Sequence, residues 1–127
     1  MKQKISTNKA PAAIGPYSQA VKAGDTLYIS GQIPLCPATG KIVGETAAEQ
    51  AGQVFKNLSA ILEEAGMTFD NVVKATVLLT DIADFAAVNE VYAKYLNGET
   101  LPARAAFAVK ALPAGAKVEI EMVAYGG

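Results

Sequence analysis

Histidine is absent from this 127-residue chain, and that absence removes much of the usual catalytic repertoire. No Ser-His-Asp triad, Cys-His pair or histidine-ligated zinc site can be assembled. Any chemistry must be carried by Arg, Glu, Asp, Tyr, Lys, hydroxyls, backbone groups or water. Cysteine is nearly absent as well: Cys36 stands alone and cannot form an internal disulfide, which fits a reducing compartment. Within PLCPATG it reads as a small loop residue rather than a nucleophile. No apolar run reaches the roughly 18 to 20 residues that a membrane helix needs, and MKQKISTNKA lacks the apolar stretch of a signal peptide. A cytoplasmic protein with no membrane partner is expected. Charge is sparse and balanced, with 11 basic and 12 acidic residues scattered along the chain, so the electrostatic footprint of a dedicated nucleic-acid binder is missing.

What remains is mostly apolar. Hydrophobic residues make up 51% and charged residues 18%, more of the first and less of the second than an ordinary soluble surface requires. The surplus predicts a surface covered by a partner subunit. The length suits one core, and a single domain over residues 1–127 is expected.

Residues 11 to 21, PAAIGPYSQAV, begin with turn formers and feed a first strand. A turn at Ala23, Gly24 and Asp25 leads to a partner strand over Leu27 to Ser30, broken by Gly31 and Pro34. Thr46 followed by Glu49 has the form of a capping box and predicts a helix start. Ala51, Val54, Phe55, Leu58, Ile61, Leu62 and Ala65 then recur at helical spacing, and Gly66 supplies the stop. Val72 to Thr80 is β-branched and apolar on both parities, the pattern of a central strand covered on both faces. A second helix is predicted from about Asp84 to Leu96, and two final strands over Arg104 to Lys110 and Lys117 to Tyr125, joined by LPAGA.

The order β-β-α-β-α-β-β predicts an α+β sandwich with two helices on one face of a mixed sheet. Period 2 puts Arg104, Ala106, Ala108 and Lys110 on one parity, and Glu119, Glu121 and Val123 on one parity of the next strand. Phe107, Val109, Val118, Ile120 and Met122 suit the face beneath the helices. On that assignment Arg104, Glu119 and Glu121 share the face away from the helices, where a charge set among small apolar side chains makes a subunit interface.

The segments NKAPAAIGPYSQAV, YISGQIPLCPATGKIVG, DFAAVNEVY, LPARAAFAV and LPAGAKVEIEMVA resemble, in order and over nearly the whole chain, the signature blocks of the RidA/YjgF family of enamine and imine deaminases. The resemblance implies a chorismate-mutase-like, ferredoxin-like sandwich and a homotrimer whose sheets form a central β-barrel with clefts between neighbouring subunits. It implies hydrolysis of reactive 2-imino acids, such as those derived from 2-aminoacrylate or 2-iminobutanoate, to 2-keto acids and ammonia. No cofactor is implied, pyridoxal phosphate included.

The implied chemistry suits these residues. Arg104 can hold a carboxylate with two parallel N–H···O bonds, which lysine cannot reproduce, and so fix the neighbouring C=N carbon. By resemblance Glu119 positions the attacking water and helps move protons, Tyr17 lines the cleft, and Ser30 and Gly31 lie at it, the glycine allowing close approach. Asn89 matches a position near the site, and Ala106 a position where many members carry cysteine, so thiol chemistry there is excluded. The connection from Tyr92 to Pro102 is short for the family.

Plainer readings stand beside these. Arg104 and Glu119 can pair across strands as a buried salt bridge, Tyr17 can be a packed strand residue, and Asn89 can serve packing or subunit contacts. At the level of function, a non-catalytic sensor of keto acids or other small carboxylates in the same cleft is the main alternative. A ribonuclease or translation-inhibitor activity is a weaker one, disfavoured by the neutral charge and missing histidine.

Overall fold

The computed structural model describes residues 1–126. Six strands form one mixed sheet: β1 (Lys2–Ile5), β2 (Ala20–Ala23), β3 (Thr26–Gln32), β4 (Val72–Leu79), β5 (Ala103–Ala108) and β6 (Val118–Tyr125). Two helices, α1 (Ala47–Glu64) and α2 (Phe85–Tyr95), complete the fold. The strands lie in the order β1-β2-β3-β6-β4-β5, and every neighbouring pair is antiparallel except β4 with β5. The parallel pair requires a crossover, which α2 provides. The α+β sandwich expected from the element order is the one observed. No helix among the described residues is long and apolar enough to cross a membrane.

Local signals set most of the boundaries. The Thr46 hydroxyl accepts from the Glu49 N–H at 3.1 Å, and Glu49 Oε1 accepts from the N–H groups of Thr46 at 3.1 Å and Glu45 at 3.0 Å. The capping box therefore starts α1 as expected. At the other end Gly66 takes φ 75°. Its N–H reaches the Glu63 carbonyl while the Met67 N–H reaches that of Leu62, a Schellman closure that only an easily left-handed residue permits. Gly24 and Asp25 form the two-residue hairpin between Ala23 and Thr26.

The core lies between the helices and one sheet face. Leu27, Ile29, Val72, Ala75, Val77, Leu79, Val118, Ile120, Met122 and Ala124 from the strands meet Val54, Phe55, Leu58, Ile61 and Leu62 of α1 and Val88 and Tyr92 of α2. Phe55 stacks on Tyr95 with centroids 4.6 Å apart and meets Tyr92 edge-on at 5.9 Å.

Three expectations need correction. First, an N-terminal strand β1 was not foreseen, because only Ile5 of its four residues is buried and Lys2, Gln3 and Lys4 give no apolar pattern. Second, within one chain β4 is covered on one face only. Val72, Ala75, Val77 and Leu79 are buried, whereas Val73 is 49% exposed and Leu78 half-buried, since both helices lie on the opposite side.

Third, the parity of β5 is reversed. Its register places Arg104 beside Ala75 and Ala106 beside Val77, both helix-facing, and Phe107 beside Leu78 on the open face, where the ring is 48% exposed. Arg104 therefore lies on the helix side of the sheet and Glu119 on the other. Polarity does not set the faces here because β5 is an edge strand: a long cationic side chain can leave the core sideways there, and small Ala106 can pack inward against it.

The capping box makes Thr46→Ala the direct test of how α1 is held. The substitution should cost about 1 kcal/mol, read as a lower denaturant midpoint at unchanged m-value; unchanged stability would show that helix packing alone fixes this end.

Candidate functional site

Two hollows gather the chemistry-bearing residues, and they share no residue. The first, about 450 Å³, is lined by Tyr17, Ser30, Gly31, Glu119 and Glu121 together with apolar Ile14 and Leu35. The second, about 460 Å³, is lined by Asn89, Tyr92, Leu96, Leu101, Pro102 and Arg104. Of the residues singled out in the sequence, Tyr17, Ser30, Gly31 and Glu119 come together in one hollow, and Asn89 and Arg104 in the other. Ala106 lines neither and packs against the core. Cys36 also lines neither; hydrogen bonds from the Thr39 hydroxyl and from the backbone of Thr39 and Ala38 hold its thiol below the usual range.

The first hollow is built by a bulge and a clamp. Pairing of β3 with β6 runs from Ile29 opposite Met122 directly to Gln32 opposite Ile120, so three steps along β3 face two along β6. The extra length falls at Ser30 and Gly31. Buried Gln19 holds the preceding segment: its amide accepts from the Thr7 N–H at 2.7 Å and donates to the carbonyls of Thr7, Ala10 and Pro11 at 3.0, 3.3 and 2.7 Å. This leaves Tyr17 at the mouth, half exposed, rather than packed in a strand. Ser30 spends both donors internally, its hydroxyl on the Ser18 carbonyl at 2.6 Å and its N–H on the Gln19 carbonyl at 3.0 Å. It therefore supports the loop and, with both donors taken, can offer a ligand only acceptor oxygens.

Glu119 lies directly against Gly31. A Cβ at residue 31 would overlap Glu119 Oε2 and come within 2.9 Å of Cδ. The glycine leaves room for a carboxylate of this same chain, a tighter reason for its presence than approach by a ligand. Partial burial raises the Glu119 pKa above the ordinary carboxylate value, and the neighbouring Glu121 charge adds to the rise.

The second hollow belongs to α2 and the sheet edge. Arg104 Nη1 donates to Asn89 Oδ1 at 2.6 Å, and its guanidinium carbon lies 4.8 Å from the Tyr92 ring centroid and 5.4 Å from that of Phe85. Phe85, Asn89 and Tyr92 follow the i, i+4, i+7 spacing of one helix face. That spacing was a usable signal for two supports of Arg104, Phe85 and Tyr92, which the sequence reading did not single out. The cross-strand salt bridge between Arg104 and Glu119 is excluded within one chain, because β4 lies between their strands and their side chains leave opposite faces. Among the described residues no cluster of His, Cys, Asp or Glu could hold a metal ion.

A raised carboxyl pKa is also a statement about stability. The folded state binds the Glu119 proton more tightly than the unfolded chain, so the associated stability is present at low pH and is lost as pH rises through the raised pKa. Glu119→Gln should therefore melt higher than wild type at pH 7, with the gain vanishing below about pH 4, where the wild-type side chain is protonated. A pH-independent difference in melting temperature would contradict the burial argument.

Comparison with known proteins fits this geometry to a family. The sequence model described as Endoribonuclease L-PSP matches residues 7–126. The chain is 58% identical over 123 residues to a mouse (Mus musculus) protein named 2-iminobutanoate/2-iminopropanoate deaminase, covering 97% of this chain and 90% of the relative. Its fold superposes on a crystal structure of RidA from the Antarctic bacterium Psychrobacter with a TM-score of 0.93 at 52% identity, covering 98% and 99% of the two chains. E. coli TdcF, crystallised with bound serine, superposes at 0.92 with 41% identity over 98% and 99%. With sequence and backbone agreeing over nearly its full length, the chain belongs to the RidA/YjgF family, whose sequence model bears the L-PSP description.

Proposed function

We propose that this protein hydrolyses 2-imino acids to 2-keto acids and ammonia in a cleft formed between two copies of the chain. One copy supplies the Arg104 half and the other the Tyr17, Gly31 and Glu119 half. The observation that carries the reading is the separation of the two hollows: a guanidinium whose contacts among the described residues are Asn89 and two aromatic rings, none acidic, and a carboxylate with a raised pKa in a different hollow. Neither half is a complete site. Joined, they provide an anchor for a carboxylate and a proton carrier for water.

The open face of the sheet offers the means of joining them. Tyr28, Val73 and Phe107 are each about half exposed there, an apolar area that association of copies would remove from water. A homotrimer closed through these faces, each chain one domain, in the cytosol, is the assembly that the family resemblance implies.

In the reaction, Arg104 holds the substrate carboxylate through a charge-assisted fork, and orientation of the C=N carbon supplies much of the acceleration. Water adds to that carbon while Glu119 takes one of its protons. That proton passes from Glu119 to the imine nitrogen, giving a neutral carbinolamine. Glu119 then takes the carbinol hydroxyl proton and delivers it to the amino nitrogen, so that the C–N bond breaks, ammonia leaves and the C=O of the 2-keto acid forms. A base whose pKa is raised toward neutrality suits both transfers. Relatives named 2-iminobutanoate/2-iminopropanoate deaminase at 56 to 58% identity support the activity.

The bound serine in TdcF favours one second reading, a sensor that binds small carboxylates at the same place without turning them over. An endoribonuclease role, despite the family description, has little support in a chain of net charge −1 with no histidine.

The deciding assay couples the protein to a dehydratase acting on threonine and follows keto-acid release. Arg104→Ala should lower kcat/KM about a hundredfold, and Arg104→Lys should fail to restore it. Equal acceleration by wild type and Arg104→Ala removes the deaminase reading, and Arg104-dependent binding of a keto acid with background turnover selects the sensor. Sedimentation should give about three times the 13.1 kDa chain mass; an active monomer would overturn the shared cleft.

Gly31→Ala separates the two halves further. It should leave the melting temperature near wild type, since only a flexible carboxylate must move, and lower kcat more than it raises KM. Unchanged kcat would show that the position of Glu119 against Gly31 has no part in the reaction.

A further inference from the structure

Arg104 is the one proposed site residue whose own support is aromatic. A guanidinium at a sheet edge has several rotamers open to it, and fixing one costs entropy. Asn89 holds a single nitrogen, Nη1, which leaves the plane of the group free to turn about that contact. The two rings restrict that turn: Tyr92 lies 4.8 Å from the guanidinium carbon and Phe85 lies 5.4 Å from it, both within cation–π range.

Tyr92 is suited to this by its other contacts. It is 92% buried, being 8% exposed, and its ring is braced edge-on by Phe55, itself fully buried and stacked on Tyr95. The support for Arg104 is thus continuous with the core. The Tyr92 hydroxyl has no hydrogen-bond partner among the described residues. An unpaired buried hydroxyl costs stability, so hydrogen bonding to the protein does not explain what this side chain contributes. Its ring face does.

We infer that Tyr92, with Phe85 as the second wall, is a positioning residue for Arg104: the ring fixes the guanidinium plane so that two N–H groups stay clear to meet a substrate carboxylate. This rests on the deaminase reading only for its effect on catalysis; the placement of the guanidinium is a property of the free protein and can be measured without turnover.

The experiment therefore has two arms. In the first, NMR of the labelled protein reads the Arg104 side-chain protons, which the rings should shift upfield. The shift should persist in Tyr92→Phe and be lost in Tyr92→Leu, with Phe85→Leu losing part of it. Phe85 is only half-buried, so that variant keeps the test alive if Tyr92→Leu does not fold. An Arg104 signal unchanged by either leucine variant overturns the inference, whatever the activity.

In the second arm, the coupled assay should show KM for the imino acid raised about tenfold in Tyr92→Leu, with kcat lowered less, and KM brought back to within about threefold of wild type by Tyr92→Phe. A leucine variant that melts lower but binds as wild type marks a core residue only, and a Tyr92→Phe variant as impaired as Tyr92→Leu assigns the role to the hydroxyl; either overturns the inference. If the shift behaves as expected while Arg104→Ala turns over as wild type, the deaminase reading fails and the positioning of Arg104 stands.

Discussion

Two helices can cover only one face of a six-stranded sheet, and this chain places both on the same side. The opposite face still carries Tyr28, Val73, Leu78, Phe107 and Val123, of which three are about half exposed. That imbalance sets up much else. It leaves an apolar surface whose burial favours association, and it leaves Glu119 and Glu121 on the uncovered side. It also separates them from Arg104, which lies on the helix side.

The cation is separated by a feature of a single edge strand. Parallel pairing with β4 sets Arg104 beside fully buried Ala75, so the side chain must start toward the helices and escape along them. It escapes across Phe85 and Tyr92, and Asn89 meets it there. The carboxylate half is arranged by a different device, the β3 bulge, where the missing side chain of Gly31 is replaced in space by Glu119. Each group is placed by its own local device, which is what the proposed two-copy site requires.

Elements with a local signature were legible without coordinates. The Thr46 and Glu49 box, the apolar stripe of α1 and the Gly66 stop each concern residues within a few positions of one another, and the backbone follows them closely. The core parity of β6, with Val118, Ile120 and Met122 inward, could also be read, because both its neighbours and the helices agree with the alternation. For β5 the alternation alone pointed the wrong way. Arg104 and Phe107 read as outward and inward by polarity, and only the parallel register with β4 shows that they are inward and outward. β1 had no signature at all, since an edge strand with one buried residue need not alternate.

The sequence by itself limited the chemistry: the lack of histidine and the lone cysteine exclude the common triads and disulfides, and the resemblance of LPARAAFAV and KVEIEM to family blocks singled out Arg104 and Glu119 as the proposed pair. Side-chain identity limits what can react, so this much is written in the residues. Tertiary structure decided where those groups stand. It put Arg104 on aromatic rings at one side of the sheet and Glu119 against Gly31 at the other, because strand register and helix placement depend on contacts between residues far apart in the chain, which no local pattern encodes.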